Sequence, residues 1–175
     1  MLVQIPRHGV IKGCTVYAAP NGVAFKIPAC IDASVQLPQL SFPTNTTQAM
    51  GGFDIPDQTR LDAMTCTISV EAGVESNGLM QSGNASYIIR WGQDVTNPDG
   101  TIGLEKWQAF VSGIVASGPS HSLEVGQSGT GDITINVSRY RLVHNDVKEL
   151  YAIDRFAGIL RINGVDLRAP LNDIL

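Results

Sequence analysis

Alternation with a period of two residues constrains this chain more than any other feature. In Ile31-Asp32-Ala33-Ser34-Val35-Gln36-Leu37 the odd positions are apolar and the even ones polar. Between Met64 and Val70 the apolar side chains are Met64, Cys66, Ile68 and Val70, with Thr65, Thr67 and Ser69 between them. Ile133, Ile135 and Val137 alternate in the same way with Asp132, Thr134, Asn136 and Ser138. Successive side chains of a strand point to opposite faces, so each segment predicts a half-buried β-strand. Lys106–Val115 alternates less cleanly, because Phe110 falls among the polar positions. Tyr87–Trp91 is apolar and fits a helix or a strand.

Turn chemistry separates these segments as an antiparallel protein requires. Ala19-Pro20-Asn21-Gly22, Asn97-Pro98-Asp99-Gly100, His144-Asn145-Asp146 and Asn163-Gly164 all carry residues that tolerate a positive φ. Helix evidence is confined to Ser76–Gln81, which Gly78 and the following Gly83 weaken. Ser41–Arg60 joins two clear strands and holds Pro43, Gly51, Gly52 and Pro56. Structureless connections beyond about 12–15 residues are usually functional or disordered. Met50, Phe53 and Ile55 give this one an apolar middle, which predicts an extended hairpin whose tip binds something. The stretch after Leu167 reads as an arm, residues 168–175.

The chemistry of catalysis is missing. His8, His121 and His144 sit in arm-like or turn-like contexts, away from any nucleophile elbow or metal-binding helix. Gly126-Gln127-Ser128-Gly129-Thr130-Gly131 superficially suggests a phosphate loop, but it precedes a strand and has no following Lys, so it reads as a hairpin turn. Asp54 and Asp57 read as solvated surface, and three glycosylation sequons as chance matches. Cys14, Cys30 and Cys66 lack metal-ligand spacing and read as buried thiols, with a disulfide between subunits as the sharper alternative. No catalytic residue, metal or cofactor is expected. A net charge of -4 argues against a protein that grips nucleic acid. No run approaches the roughly 20 apolar residues of a membrane span, and Met1–Arg7 lacks a secretory pattern. These features predict folding in a cytoplasm without membrane insertion.

The polar positions of the clean strands carry the functional hint. Asp32, Ser34, Gln36, Thr65, Thr67, Ser69, Asp132, Thr134, Asn136 and Ser138 include no Lys or Arg, whereas an ordinary solvent-facing sheet mixes both signs of charge. If such a sheet closed into a ring, its inner wall would let a polyanion slide. In a sixfold ring, one Lys per subunit on that wall would present about six phosphate contacts, which change DNA affinity on the order of 10³-fold between low and moderate salt. Composition by itself leaves open a monomeric β-sandwich that binds a ligand, with Trp91 and Trp107 as stacking platforms.

Toward the C-terminus, Arg141-Leu142, Lys148-Glu149-Leu150, Ile153-Asp154 and Ile162-Asn163-Gly164-Val165-Asp166 follow one another in order. Leu37-Pro38-Gln39-Leu40, Ala49-Met50-Gly51-Gly52 and the strand Leu61–Val70 precede them. Together these resemble the major tail tube proteins of contractile-tailed bacteriophages and the related tubes of contractile bacteriocins, over most of the chain. The resemblance implies one mainly β domain over residues 1–175: two packed antiparallel sheets, as a sandwich or barrel, with one short helix, an extended hairpin loop and terminal arms. It implies hexameric rings, stacked helically, that share a lumen-lining β-barrel, with the ten polar residues above facing the lumen. It places Met50, Gly51, Gly52, Phe53 and Ile55, in the hairpin of residues 41–60, at the contact between rings, and a small helix after Val70. The implied partners are further copies of the chain, the tail sheath, the tape-measure protein, the baseplate and the tail terminator. DNA would pass through without specific binding, in a virion tail assembled in the host cytoplasm. A bacteriocin or secretion tube without a genome is the alternative of the same kind.

Overall fold

The computed structural model of the chain describes residues 6–19, 25–26, 34–47, 51–71, 81, 83–119, 125 and 130–174. The Asn21-Gly22 turn, nearly all of Ser76–Gln81, most of the Gly126–Gly131 run, Cys30, Asp32 and Met50 lie outside these residues.

Ten strands form one antiparallel sheet: β1 (Arg7–Ala18), β2 (Phe25–Lys26), β3 (Ser34–Gln36), β6 (Thr65–Glu71), β7 (Asn84–Thr96), β8 (Ile102–Ser117), β9 (Thr130–His144), β10 (Lys148–Asp154), β11 (Ile159–Ile162) and β12 (Val165–Asp166). β4 (Thr44–Thr47) and β5 (Phe53–Pro56) make a separate two-stranded hairpin. A single helical turn, α1 (Ala169–Asn172), follows β12. No helix among the described residues is long and apolar enough to cross a membrane.

The sheet forks at β9. One edge of this strand pairs with β8 from Thr134 to His144. The other edge pairs first with β6, from Thr130 to Asn136, and then with β10, from Arg139 to His144. At the fork the Val137 N–H donates to the Met64 carbonyl at 2.9 Å and the Arg155 N–H to the Ser138 carbonyl at 3.0 Å. Opposite β8, Ser112 pairs with Arg139 and Gly113 with Val137, so Ser138 is an extra, bulged residue. A bulge shifts the two-residue alternation by one. That is why Ile133, Ile135 and Val137 face the core before it while Tyr140 and Leu142 do so after it.

The core follows from these registers. Leu160, Ile153, Tyr140, Val111, Tyr87 and Ala18 form one row across six strands, and all six are buried. On the other branch, Cys66 pairs with Ile135 and Ile68 with Ile133, all with no exposed surface. Burying an isoleucine is worth about 1.5–3 kcal/mol, so these rows hold the branches together.

The expected pair of packed sheets is corrected to one continuous sheet, and the described residues form no closed barrel. The physical reason is β9, which serves both branches and leaves no seam between them. The core is covered because the sheet curls over itself. Val35 and Leu37, on the β3 side, share a cavity of about 290 Å³ with Cys14, Ile89 and Trp91 of β1 and β7. Cys66 of β6 and Tyr87 of β7 belong to one buried cluster, although β9 and β8 lie between them in the sheet.

The sequence's turns are present where described. Asn145 and Asp146, at φ 50° and 57°, join β9 to β10, and Asn163 and Gly164, at 49° and 83°, join β11 to β12. Positive φ at both central positions is the turn that matches strand twist. Tyr87–Trp91 is strand. The expected arm at 168–175 instead carries α1, started by Pro170 in its first turn and tied back by Asn172, which donates to the Gly158 carbonyl at 3.4 Å.

Candidate functional site

Two surfaces stand out, and the first is the hairpin. Its root is fixed by the Asp57 N–H donating to the Pro43 carbonyl at 2.8 Å, the Asp62 N–H to the Ser41 carbonyl at 3.0 Å, and the Ser41 hydroxyl to Asp62 Oδ2 at 2.9 Å. Arg155, in the turn after β10, donates to the carbonyls of Leu61 and Asp62, which locks the root to the fork. Asp57 accepts from the Thr59 hydroxyl at 2.6 Å and the Thr59 N–H at 3.0 Å, and these bonds hold its carboxyl below the usual range. Thr44 to Thr47 pairs with Phe53 to Pro56, and the turn between them contains Gly51 and Gly52 at φ 110° and 77°. Phe53 and Ile55 lie two residues apart on one face of β5 and are 65% and 45% exposed. Asp54, on the other face, accepts from the Thr46 hydroxyl at 2.6 Å. Among the described residues the segment 41–60 is an extended hairpin with Phe53 and Ile55 in solvent, while Phe42 at its root packs against the core.

The second surface is the outer face of β3, β6 and the first half of β9. Gln36, Thr67 and Thr134 form one cross-strand row, Ser34, Ser69 and Asp132 a second, and Thr65 with Asn136 a third. Ser69 donates to Asp132 Oδ1 at 2.6 Å, and Ser138, at the bulge, donates to the Ser112 carbonyl at 3.2 Å. Eight of the ten polar residues singled out in the sequence thus lie in adjacent cross-strand rows, Ser138 sits beside them at the bulge, and Asp32 lies outside the described residues.

Beyond the bulge the same face changes character. Arg139 pairs with Asp154 at 2.8 Å, and Arg141 with Glu149 at 2.6 Å. Arg161 approaches the same Glu149 at 3.6 Å. Arg90 lies over the Tyr17 ring at 5.4 Å, and Gln108 accepts from it at 2.9 and 3.0 Å once its amide is oriented to suit. Asp154 is held below the usual carboxylate range first by the Ala157 N–H, then by the Phe156 N–H and Arg139. Sequence alternation did not reveal this basic half, because these arginines lie on strands whose pairing partners only the fold identifies.

Sequence reading also missed a cluster at the far end of β8. Glu105 Oε2 lies 3.1 Å from His8 Nδ1 and 3.1 Å from His144 Nε2. In the cross-strand row Trp107 lies between His144, whose ring is 4.4 Å away and tilted by 39°, and Trp91, which stacks on it at 5.8 Å. These neighbours crowd Trp107, which weighs against it as an open stacking platform. Cys66 is fully buried and burial pushes its thiol up to about 12, while half-buried Cys14 is raised for the same reason. Both are free thiols.

The described surfaces are thus an exposed apolar arm and a hydroxyl-rich face on a β-sheet subunit. The chain belongs to the phage tail tube protein FII family, whose model matches residues 10–175. It is a component of the tail tube, a structural protein and not an enzyme. Its fold resembles the sheath/tube terminator of an extracellular contractile injection system, PVC, in the extended state, with a TM-score of 0.50 and 18% identity over 81% of this chain and 99% of the other. A chain of the sheath-tube complex of the same system gives a TM-score of 0.44 and 18% identity over 74% of this chain and 87% of the other. No curated protein sequence matches the chain.

Proposed function

We propose that this protein builds the inner tube of a contractile phage tail, as hexameric rings that stack helically and conduct DNA without binding it. The observation that supports the reading is the outer face of β3, β6 and the first half of β9, where the rows through Ser34, Gln36, Thr65, Thr67, Ser69, Asp132, Thr134 and Asn136 contain no basic residue, with Ser138 at their margin beside the bulge. Facing the lumen, with Asp32 continuing the pattern, these groups stay hydrated and give phosphates nothing to hold. The mechanism is geometric: oligomerisation makes the pore, and its wall lowers friction. The hairpin, through Met50, Gly51, Gly52, Phe53 and Ile55, makes the contact between rings. A heterologous contact of this kind leaves an open filament. The sheath, the terminator, the tape-measure protein and the baseplate are the partners of such a tube.

A second reading, the tube of a contractile bacteriocin or injection particle without a genome, draws support from the fold likeness to the injection-system terminator. The same wall serves either cargo, and neighbouring capsid and terminase genes would favour DNA. Negative-stain microscopy of the purified protein tests the shared core of both readings. Rings or tubes are expected, and monomers under all conditions would overturn it.

A further inference from the structure

Beside the hairpin root, at the fork of the sheet, the outer surface opens into a cleft of about 630 Å³. Buried Met64 and Val137 lie at its floor, and Ile114 and Phe156, 62% and 82% exposed, stand at its rim. Among the described residues that line it, Arg139 and Arg155 are the charged ones, and Asn136 and Ser138 border it from the hydroxyl-rich face. Arg139 keeps 57% of its side chain exposed despite its pairing with Asp154. Arg155 donates to two carbonyls, which leave its positive charge unneutralised.

The hairpin offers the complement. Its exposed Phe53 and Ile55 match the apolar cleft in character, and Ser41–Asp57 carries Asp54 and Asp57 but no Lys or Arg. The arm does not fill the cleft of its own chain. Ser41 to Thr47, the partner of Phe53, spans about 20 Å of extended chain, and Phe53 is in solvent. We propose that the cleft receives the hairpin tip of a second copy, with Phe53 against Met64, Val137, Ile114 and Phe156 and the hairpin carboxylates toward Arg139 and Arg155. This rests on the reading of the hairpin as an assembly contact and names its receptor. Each copy then gives one tip and one cleft, and because Arg155 ties the root of one arm to the cleft that holds another, successive contacts are mechanically in series.

Cysteine cross-linking tests it in the full chain. Phe53→Cys is combined with Ile114→Cys or, on the other side of the cleft, with Phe156→Cys. A tip-to-cleft contact yields a reducible ladder extending past the dimer in at least one double variant, whereas the single variants stop at dimers. Ile114→Asp, at an exposed position, is expected to raise the protein concentration at which tubes appear by at least about tenfold while leaving the circular dichroism of the subunit unchanged. If tubes form but neither double variant ladders and Ile114→Asp assembles normally, the cleft is not the receptor, and the tube reading stands. If the unaltered protein forms no assembly under any condition, both ideas fall together.

Discussion

Gly113 sits where the two branches of the sheet diverge, and Gly113→Ala is the sharpest test of that geometry. A Cβ at this position would lie 2.8 Å from the Asn136 carbonyl carbon and 3.0 Å from Val137 Cα, and closer still to the Asn136 oxygen. The obstacle is backbone, so no side-chain rotation relieves it. β9 must move by about an ångström, and overpacking of this kind costs about 1–3 kcal/mol. Displacing β9 also loosens the ladder bonds flanking the Gly113–Val137 pair, at about 1 kcal/mol each. A total near 3–4 kcal/mol is a large share of the 5–15 kcal/mol typical of a domain. It predicts a melting point lower by about 6–16 °C at about 2–4 °C per kcal/mol for a chain of this size. Thermal and urea unfolding at one fixed protein concentration measure it, since assembly makes stability concentration-dependent. Gly13→Ala is the control: nothing lies within 4 Å of its would-be Cβ, and a change within about 0.5 kcal/mol is expected. A Gly113→Ala melting point within 2 °C of the parent would show that β8 and β9 are not held this closely at the fork.

Alkali should destabilise the subunit. Burial raises Cys66 from 9.0 to about 12 and Tyr87 from 10.0 to about 12, and raises Tyr140 as well. The unfolded chain then loses these protons first, so stability is intact below pH 9 and falls between pH 9 and 12, for Cys66 by up to about 1.4 kcal/mol per unit. A flat urea midpoint from pH 8 to 11 would contradict that burial. Phe53→Asp should abolish ring stacking in the microscope while the subunit melts within about 0.5 kcal/mol of the parent, because the position is exposed. Normal tubes from this variant would remove the hairpin from the contact. Thr67→Lys should leave assembly intact but slow DNA delivery, with a delay that shrinks as salt rises. Undiminished infectivity would mean that this face does not line the bore.

Much of this architecture was legible in single segments. The alternation of Met64–Val70 and Asp132–Ser138 gave both strands and their outward residues, because each strand has one face in the core. Asn145-Asp146 and Asn163-Gly164 marked their turns through the conformations these residues tolerate. The merging of the expected two sheets into one was not legible, since it depends on β9 having different partners along one edge. Ser138 illustrates the limit: in sequence it continues the polar alternation, and only its register against Ser112 and Gly113 shows it to be the bulge. The Glu105 pairing with His8 and His144 escaped for a related reason. Its three members come from strands whose adjacency no local pattern encodes.

The fork also sets an order of events during folding. From β7 onward the strands meet their sequence neighbours, and such hairpins close short loops. The pairings of β6 with β9 and of β1 with β7 are different: Ser69 meets Asp132 across 63 residues, and Ala18 meets Tyr87 across a still longer stretch. Closing a long loop costs entropy that its contacts repay only afterwards, so such pairings form late. The hydroxyl-bearing rows on β3 and β6 are therefore among the last parts of the outer face to be completed. A newly made subunit can build its meander before it has a finished wall, and until β6 docks, half of β9 remains an open edge able to pair with another chain. Crowded synthesis of many copies thus makes the speed of these long-range steps matter.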